Sequence, residues 1–362
     1  MKITSFDVRR YSKPFEKPIS NGKYTYYATN TVICQVHTDE GLTGIGWVDG
    51  TDIVFDALKQ LEAFVVGEDP FNVERIWSKM YLPKIFGRKG LTTRAMSAVD
   101  IALWDIIGKA SGRPLYQLLG GFRDEVPVYI AGGYYETDKS HSELREEMEQ
   151  NIAKGIKAIK MKIGKLSLKE DLKRIEVIRE QVGDAVEILV DANNAYNRLD
   201  ALRMGRMMEE LNVYWFEEPL APDDLEGAAE LAKALDTPIA SGENEYTLWG
   251  FRDIITSGSV DIINADAQVL GGITEWRKVA NYAIAHHIPI APHGSQEIHV
   301  HLVSAVPNGL IVEYYDSNLA SFSDLMFEQK LSLNPNGTVS PFKGPGLGVT
   351  INFEAIEPYR IG

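Results

Sequence analysis

The chain has 362 residues, enough for one large domain with a smaller companion, and its 44% apolar and 24% charged residues are those of a folded globular protein rather than a disordered or fibrous one. A net charge of -14, without a basic patch or an arginine-rich arm, sets aside nucleic acid and anionic membrane surfaces as partners. The single cysteine, Cys34, admits no internal disulfide, and "MKITSFDVRR" lacks the apolar core of a signal peptide, so a soluble cytoplasmic protein is expected.

In chain order, "ITSFDVRRYS" and "TVICQVHTDEGLTGIGW" read as antiparallel strands, with Asp39-Glu40-Gly41 supplying a turn. "TTRAMSAVDIALWDIIGKASG" from Thr92 predicts a long buried helix closed by Gly112. Residues 1–122 thus form an N-terminal α+β capping domain. From Val126 a regular beat begins, with eight short apolar runs: "VPVYIAG", "KAIKMKI" from Lys157, "EILVD" from Glu187, "VYWFEE" from Val213, "PIASGE" from Pro238, "VDIINAD" from Val260, "IPIAPH" from Ile288 and "LIVEYY" from Leu310. Amphipathic helical patterns such as "KEDLKRIEVIREQVG" and "TEWRKVANYAIAHH" alternate with them. Eight such units predict a (β/α)8 TIM-type barrel over residues 123–330, in preference to a doubly wound sheet. The tail, 331–362, with its Gly- and Pro-rich "FKGPGLGV", is expected to form no barrel strand and to pack back on the cap.

Chemistry-bearing residues end these strands, the face on which barrel enzymes build their sites. From Lys162 they are Asp191, Glu217, Glu243, Asp266, His293 and Glu313, in steps of 29, 26, 26, 23, 27 and 20 residues. Each step is about one strand-helix unit, so the groups converge on one rim. Asp191, Glu217 and Glu243 form an oxygen-only set suited to a hard divalent cation, Mg2+ or Mn2+. Any one of them alone reads as a helix cap or a solvated acid, but the ordered three do not. Glu218 points away from the set, and Asn193 is either a substrate ligand or part of an Asx turn.

In "AIKMKIG", Lys160 and Lys162 share one face of a strand, whereas an isolated edge strand would leave both in water. Their proximity is expected to lower the pKa of Lys162, making it a base. Asp266 and His293, on adjacent strands, are expected to pair, fixing the imidazole tautomer. Glu313, if held protonated, would donate a hydrogen bond to a developing oxyanion. His299 and His301 in "EIHVHL" fall two residues apart on a helix and so cannot chelate together. His37, His141, His286 and His287 read as structural or surface residues. Removing a proton next to a carboxylate puts a second negative charge on that group, and a divalent cation stabilises it. An amine and an imidazole on opposite sides of that cation would flank the carbon. A Schiff-base aldolase using Lys162 and a non-catalytic binding barrel are the readings from other classes.

The ordered set "KMKIG", "VDANNAY", "WFEEPL", "SGENEY", "NADAQVLGGITEW", "APHGSQEIHVHLVSAVPNG" and "LIVEYY", with "AMSAVDIALWD" in the cap, resembles the enolase superfamily and within it the mandelate racemase subgroup. The resemblance covers nearly the whole chain. It implies cap loops at Asn21 to Tyr27 and Val48 to Thr51 that close over the site, with Tyr24, Tyr26 and Tyr27 either shaping the pocket or packing the cap. It also implies an Mg2+-dependent lyase acting on a small-molecule carboxylate, as a homo-oligomer. Dehydration of an aldonate or aldarate to a 2-keto-3-deoxy acid is the first expectation, and a racemase, epimerase or lactone cycloisomerase is the alternative.

Overall fold

Two glycines in the third strand decide how the N-terminal part packs. The computed structural model describes residues 1–316, 319 and 322–362. Strands β1 (Ile3–Ser20), β2 (Thr25–Thr38) and β3 (Thr43–Asp49) form an antiparallel sheet in that order, with the expected turn at Gly41, φ +78°. The buried helix Leu91–Ser111 lies directly on β3 and ends at left-handed Gly112. A Cβ at Gly46 would stand 1.9 Å from the Ala98 carbonyl oxygen of that helix, and one at Gly44 would stand 2.0 Å from Ala102 O. Only glycine permits this approach. β1 runs well past the expected stretch because its later half, with Pro14 and Pro18, is a sheet edge where proline is tolerated, its last residue Ser20 also bridging Tyr135.

The parallel sheet comprises β4 (Val126–Gly132), β5 (Ala158–Lys162), β6 (Glu187–Asp191), β7 (Val213–Glu217), β8 (Ile239–Ser241), β9 (Ile262–Ile263) and β10 (Val312–Tyr314), in the order β10-β4-β5-β6-β7-β8-β9. The seventh of the eight expected runs contracts to a single residue. Ile290 bridges Ile263 on one side and Gly309 on the other, closing the (β/α)8 barrel. Pro289 and Pro292 flank it and donate no hydrogen bonds, which stops the ladder from lengthening. Tyr129, Ala158, Leu189, Trp215, Ala240, Ile262, Ala291 and Ile311 form one buried cluster in the barrel interior. Because inward positions recur every second residue, the next layer toward the mouth includes Lys160, Asp191, Glu217, His293 and Glu313. The strand period therefore stacks a charged layer on an apolar one.

The tail meets both parts of the molecule. Thr338–Val339 (β11) pairs antiparallel with the first residues of β4, a contact with the barrel that the sequence did not suggest. Farther on, Gly346 exchanges backbone hydrogen bonds with Arg113 and Leu115, and Arg10 does so with Ile361 and Gly362. Among the described residues no helix is long and apolar enough to cross a membrane.

A buried acid on the long cap helix anchors it to the barrel. Asp100 accepts hydrogen bonds from Thr274 N (2.8 Å) and Thr274 Oγ1 (2.6 Å), at the start of the helix Gly272–Ala285. Ser97 accepts from Gly271 N, Trp104 donates to Thr274 Oγ1, and Trp77 donates to Gly271 O. "GGIT" is thus a turn into a helix that the cap grips. Asp100→Ala leaves two buried donors unpaired and should cost about 3 kcal/mol in urea unfolding, whereas a loss within about 0.5 kcal/mol would show that docking does not depend on it. Burial pushes Asp100 up to about 7, against its bonds from Thr274. The folded chain therefore keeps a proton that the unfolded chain releases above about pH 4, so this contribution favours folding at low pH and is lost as the pH rises through about 7. Asp100→Asn should flatten that dependence.

Candidate active site

Three neighbouring strands bring the carboxylates together. Asp191 and Glu217 end β6 and β7 in direct register, and Glu243 follows β8 by two residues. One oxygen from each lies within 4.8 Å of the others, close enough to share an octahedral cation. The set contains no nitrogen or sulfur donor, which suits Mg2+ or Mn2+ over softer metals. Glu243 Oε2 is buried without a hydrogen-bond partner, a free ligand atom for such an ion.

Both lysines enter the barrel mouth beside these carboxylates, fully buried or nearly so. Lys160 Nζ stands 3.0 Å from Glu217 Oε1 and 2.7 Å from Glu313 Oε1, with the Tyr129 ring 5.1 Å away. Lys162 pairs with Asp191 Oδ2, and its Nζ lies 5.2 Å from the centre of the Tyr134 ring. On the other side, His293 Nδ1 meets Asp266 Oδ2 at 3.1 Å, while Nε2 lies 3.6 Å from Glu243 Oε2 and 4.0 Å from Glu313 Oε2. Lys162 therefore adjoins the Asp191 end of the triad and His293 the Glu243 end. The amine and the imidazole flank the oxygen cluster, as the spacing of the strands required.

Electrostatics overturns two expectations. Burial, the largest single influence, and the repulsion of Lys160 would lower the pKa of Lys162, but Asp191, Tyr134 and Glu243 together outweigh them, and the ammonium form is favoured. The opposing carboxylates, invisible in "KMK", reverse the sign. Burial alone would likewise raise Glu313, yet Lys160, His293 and Lys162 hold it below its ordinary range, and Gly294 N donates to it at 2.8 Å. Glu313 is thus an ionised acceptor that anchors Lys160, not a protonated donor. Burial raises Glu217, against Lys160 and with Asp191 and Glu243 adding to the effect. Five carboxylates here face two ammonium groups and one imidazole, so a further cation is needed before all can ionise comfortably.

Asn193 takes part in a turn and keeps its side-chain oxygen unused. Its backbone N donates to Asp191 Oδ1 at 2.8 Å in an Asx-type turn, and its own Oδ1 is buried without a partner. Glu218 stays outside the triad, accepting from Asn194 Nδ2 and Asn244 Nδ2. His299 and His301 are buried and bond to separate partners, consistent with no joint chelation. His37 is tied to Thr43 and Asp7.

The cap reaches this rim at two points. A Cβ at Gly22, in the β1–β2 turn, would fall 2.4 Å from Ala192 O and 2.5 Å from Ile163 O, so the turn sits hard against the ends of β5 and β6. Beside it, the Tyr26 hydroxyl accepts from Asn21 Nδ2, and burial, with Tyr134, Glu243 and Asp191 adding to it and Lys162 opposing it, pushes the phenol up to about 12. Tyr24 differs from expectation: it is 52% exposed, with its ring over Lys23 and its backbone N bonded to Asn21, and Tyr27 is more exposed still. Tyr26 itself is 40% exposed, so all three rings of this stretch keep contact with solvent. At the second point, Trp47 Nε1 donates to Ser295 Oγ (3.0 Å), and Trp47 O accepts from Gln268 Nε2 (2.8 Å). Sequence reasoning missed Tyr129, Tyr134 and Trp215, whose Nε1 donates to Glu217 Oε2. Trp215 stands two residues before Glu217, and that inward alternation was the available signal.

Comparison with known proteins agrees with this geometry. Residues 3–120 match the mandelate racemase / muconate lactonizing enzyme N-terminal domain, and residues 143–356 match the enolase C-terminal domain-like family. The arabinonate dehydratase of Saccharolobus solfataricus is 38% identical over 91% of this chain and 90% of its own length. The 3,6-anhydro-alpha-L-galactonate cycloisomerase of Streptomyces coelicolor is 34% identical over 91% of each chain. Among solved structures, L-talarate/galactarate dehydratase from Salmonella typhimurium, liganded with Mg and L-lyxarohydroxamate, superposes with a TM-score of 0.93 at 31% identity, covering 100% of this chain and 93% of that one. The chain belongs to the enolase superfamily, in its mandelate racemase and muconate lactonizing enzyme group.

Proposed function

We propose that the protein is a Mg2+-dependent acid-sugar dehydratase that converts an aldonate or aldarate to a 2-keto-3-deoxy acid, with Lys162 and His293 as its two proton-transfer groups. The placement of those two groups at opposite ends of one carboxylate triad carries this reading. Named relatives that are dehydratases of arabinonate and of talarate and galactarate support the substrate class.

Asp191, Glu217 and Glu243 would hold the ion, whose positive charge stabilises the substrate carboxylate as it gains negative charge and draws the charge of Asp191 away from Lys162. Lys162 Nζ, then neutral, takes the proton from the carbon next to the carboxylate, and the C–H electron pair moves into that group. Burial works against protonation of His293, but Glu243, Asp266 and Glu313 outweigh it and push the imidazole up to about 10. Its proton goes to the departing β-hydroxyl, which leaves as water as its C–O bond breaks. The resulting enol rearranges to the keto acid. Lys160, locked between Glu217 and Glu313, contributes fixed positive charge facing the substrate carboxylate. Asn193 Oδ1 is free to accept a hydrogen bond from a substrate hydroxyl, and Tyr26, held by Asn21 on the cap, would line the pocket.

The cycloisomerase relative supports a second reading, in which the same groups exchange protons without eliminating water. The products decide between them: a 2-keto acid reacts with semicarbazide, whereas an isomer retains the mass of its substrate. In a panel of aldonic and aldaric acids with Mg2+, at least one should yield the keto acid. Lys162→Ala and His293→Asn should each lower kcat by about 10²-fold to 10⁴-fold while leaving thermal unfolding close to wild type. Full activity in either variant would remove that residue from its role. Mg2+ added to EDTA-treated protein at about 100 times Kd should stabilise it by about 2.7 kcal/mol, and Glu243→Gln should abolish most of that gain. An unchanged gain would place the ion elsewhere.

A further inference from the structure

We infer that His299 and Arg174, which touch neither the triad nor the proposed proton-transfer atoms, are positioning residues, each holding one of the two proton-transfer groups in register. The inference rests on the assignment of Lys162 and His293 above. Each of the two residues lies on the helix that follows the strand carrying its base.

His299 lies on Gln296–Ala305 and is fully buried. Its Nδ1 donates to Gly294 O at 2.7 Å, and its Nε2 accepts from Ala267 N at 3.0 Å. Gly294 follows His293, and Ala267 follows Asp266. One ring therefore spans the two loops whose separation sets the Asp266–His293 hydrogen bond. The Ala267 amide can only donate, which fixes the proton of His299 on Nδ1. Asp266 Oδ1, 3.5 Å from Nε2, receives no hydrogen bond from it and takes one from Gln268 N instead. The backbone here is strained at Ser295, with φ +20°, just after Gly294, which adopts φ +69° freely because it is glycine. Such a conformation persists only when its surroundings over-determine it. His299, Glu313 bonded to Gly294 N, and Trp47 bonded to Ser295 Oγ supply that constraint.

Arg174, on Leu168–Val182, does the same for the other base. Its two terminal nitrogens donate to Lys162 O and Gly133 O, each at 2.7 Å. Lys162 O belongs to the base itself. Gly133 precedes Tyr134, whose ring faces Lys162 Nζ. The guanidinium is seated 3.9 Å from the centre of the Tyr135 ring, and Asp171 Oδ1 lies 3.5 Å from it. The planar fork spans the ends of β4 and β5 with two simultaneous hydrogen bonds, which a lysine cannot reproduce.

The test reads the two bases separately. Exchange of the proton at C2 is followed by NMR in D2O with Mg2+ for two pairs of acids differing only at C2, arabinonate with ribonate and galactarate with talarate. Lys162→Ala and His293→Asn should each silence exchange from one member of a pair, assigning each exchange to one base. His299→Leu should then slow the His293-dependent exchange by about 100-fold and the Lys162-dependent exchange by no more than about twofold, and Arg174→Gln should do the reverse. His299→Asn, which keeps the bond to Gly294, and Arg174→Lys, which keeps one carbonyl bond, should recover part of the loss. Equal slowing of both exchanges by either His299→Leu or Arg174→Gln, or slowing of neither, would overturn the inference.

If the base variants do not separate the exchanges, the assignment of bases fails, and imidazole NMR of 15N-histidine-labelled protein, with seven histidines to resolve, decides the inference by itself. The expected result is a neutral His299 protonated on Nδ1, with His293 resonances that move in His299→Asn and stay in Arg174→Lys. A proton on Nε2 of His299, or unmoved His293 resonances in His299→Asn, would overturn it.

Discussion

Buried charge is the constraint from which the rest of the structure follows. Two lysines, one imidazole and five carboxylates crowd together at the barrel mouth, nearly all of them out of water. Removing ions from water costs several kcal/mol each, and the attraction between partners repays this only where geometry and hydrogen bonding are good. Lys160 meets that condition by bridging Glu217 and Glu313, and Lys162 meets it with Asp191. Glu243, with an unpartnered oxygen and no lysine, does not. The imbalance is local and falls where three oxygens converge, so the site is arranged for a cation that the protein does not itself supply. Interactions of this kind favour function over stability, and the layer beneath bears the structural load. Trp215, Leu189, Tyr129 and their neighbours are apolar or aromatic and fill the barrel just below the charges.

The cap has a second task besides covering the site. Its long helix reaches the barrel through Ser97, Asp100 and Trp104, all directed at the turn that opens the helix Gly272–Ala285. That turn follows the loop carrying Asp266. The β1–β2 turn rests on carbonyl oxygens next to Lys162 and Asp191, and Trp47 holds Ser295, two residues past His293. A shift of the cap is therefore felt on both flanks of the triad.

Much of this was legible in the sequence, because a barrel repeats at a fixed period. The spacing of Asp191, Glu217 and Glu243 placed them on consecutive strand ends, and the structure brings their oxygens together. Features that depend on a partner's identity were not legible. "KMK" showed two ammonium groups on one face but not the carboxylates opposite them, so the direction of the Lys162 pKa shift was read backwards. The protonation of Glu313 was misjudged for the same reason. Pro14 and Pro18 disguised the second half of β1, and Pro289 and Pro292 reduced a full strand to one bridging residue. The partners of His299 are backbone atoms, which leave no trace in residue types, so "EIHVHL" revealed that the two histidines part company but not what His299 holds.

Diffraction at the manganese absorption edge, from crystals grown with Mn2+, tests the central claim most directly, because it locates the ion without reference to turnover. The account predicts one anomalous peak within bonding distance of an oxygen of Asp191, Glu217 and Glu243, with Lys162 and His293 on opposite sides of it. A peak held by other residues, or an ion with both bases on the same side, would contradict it.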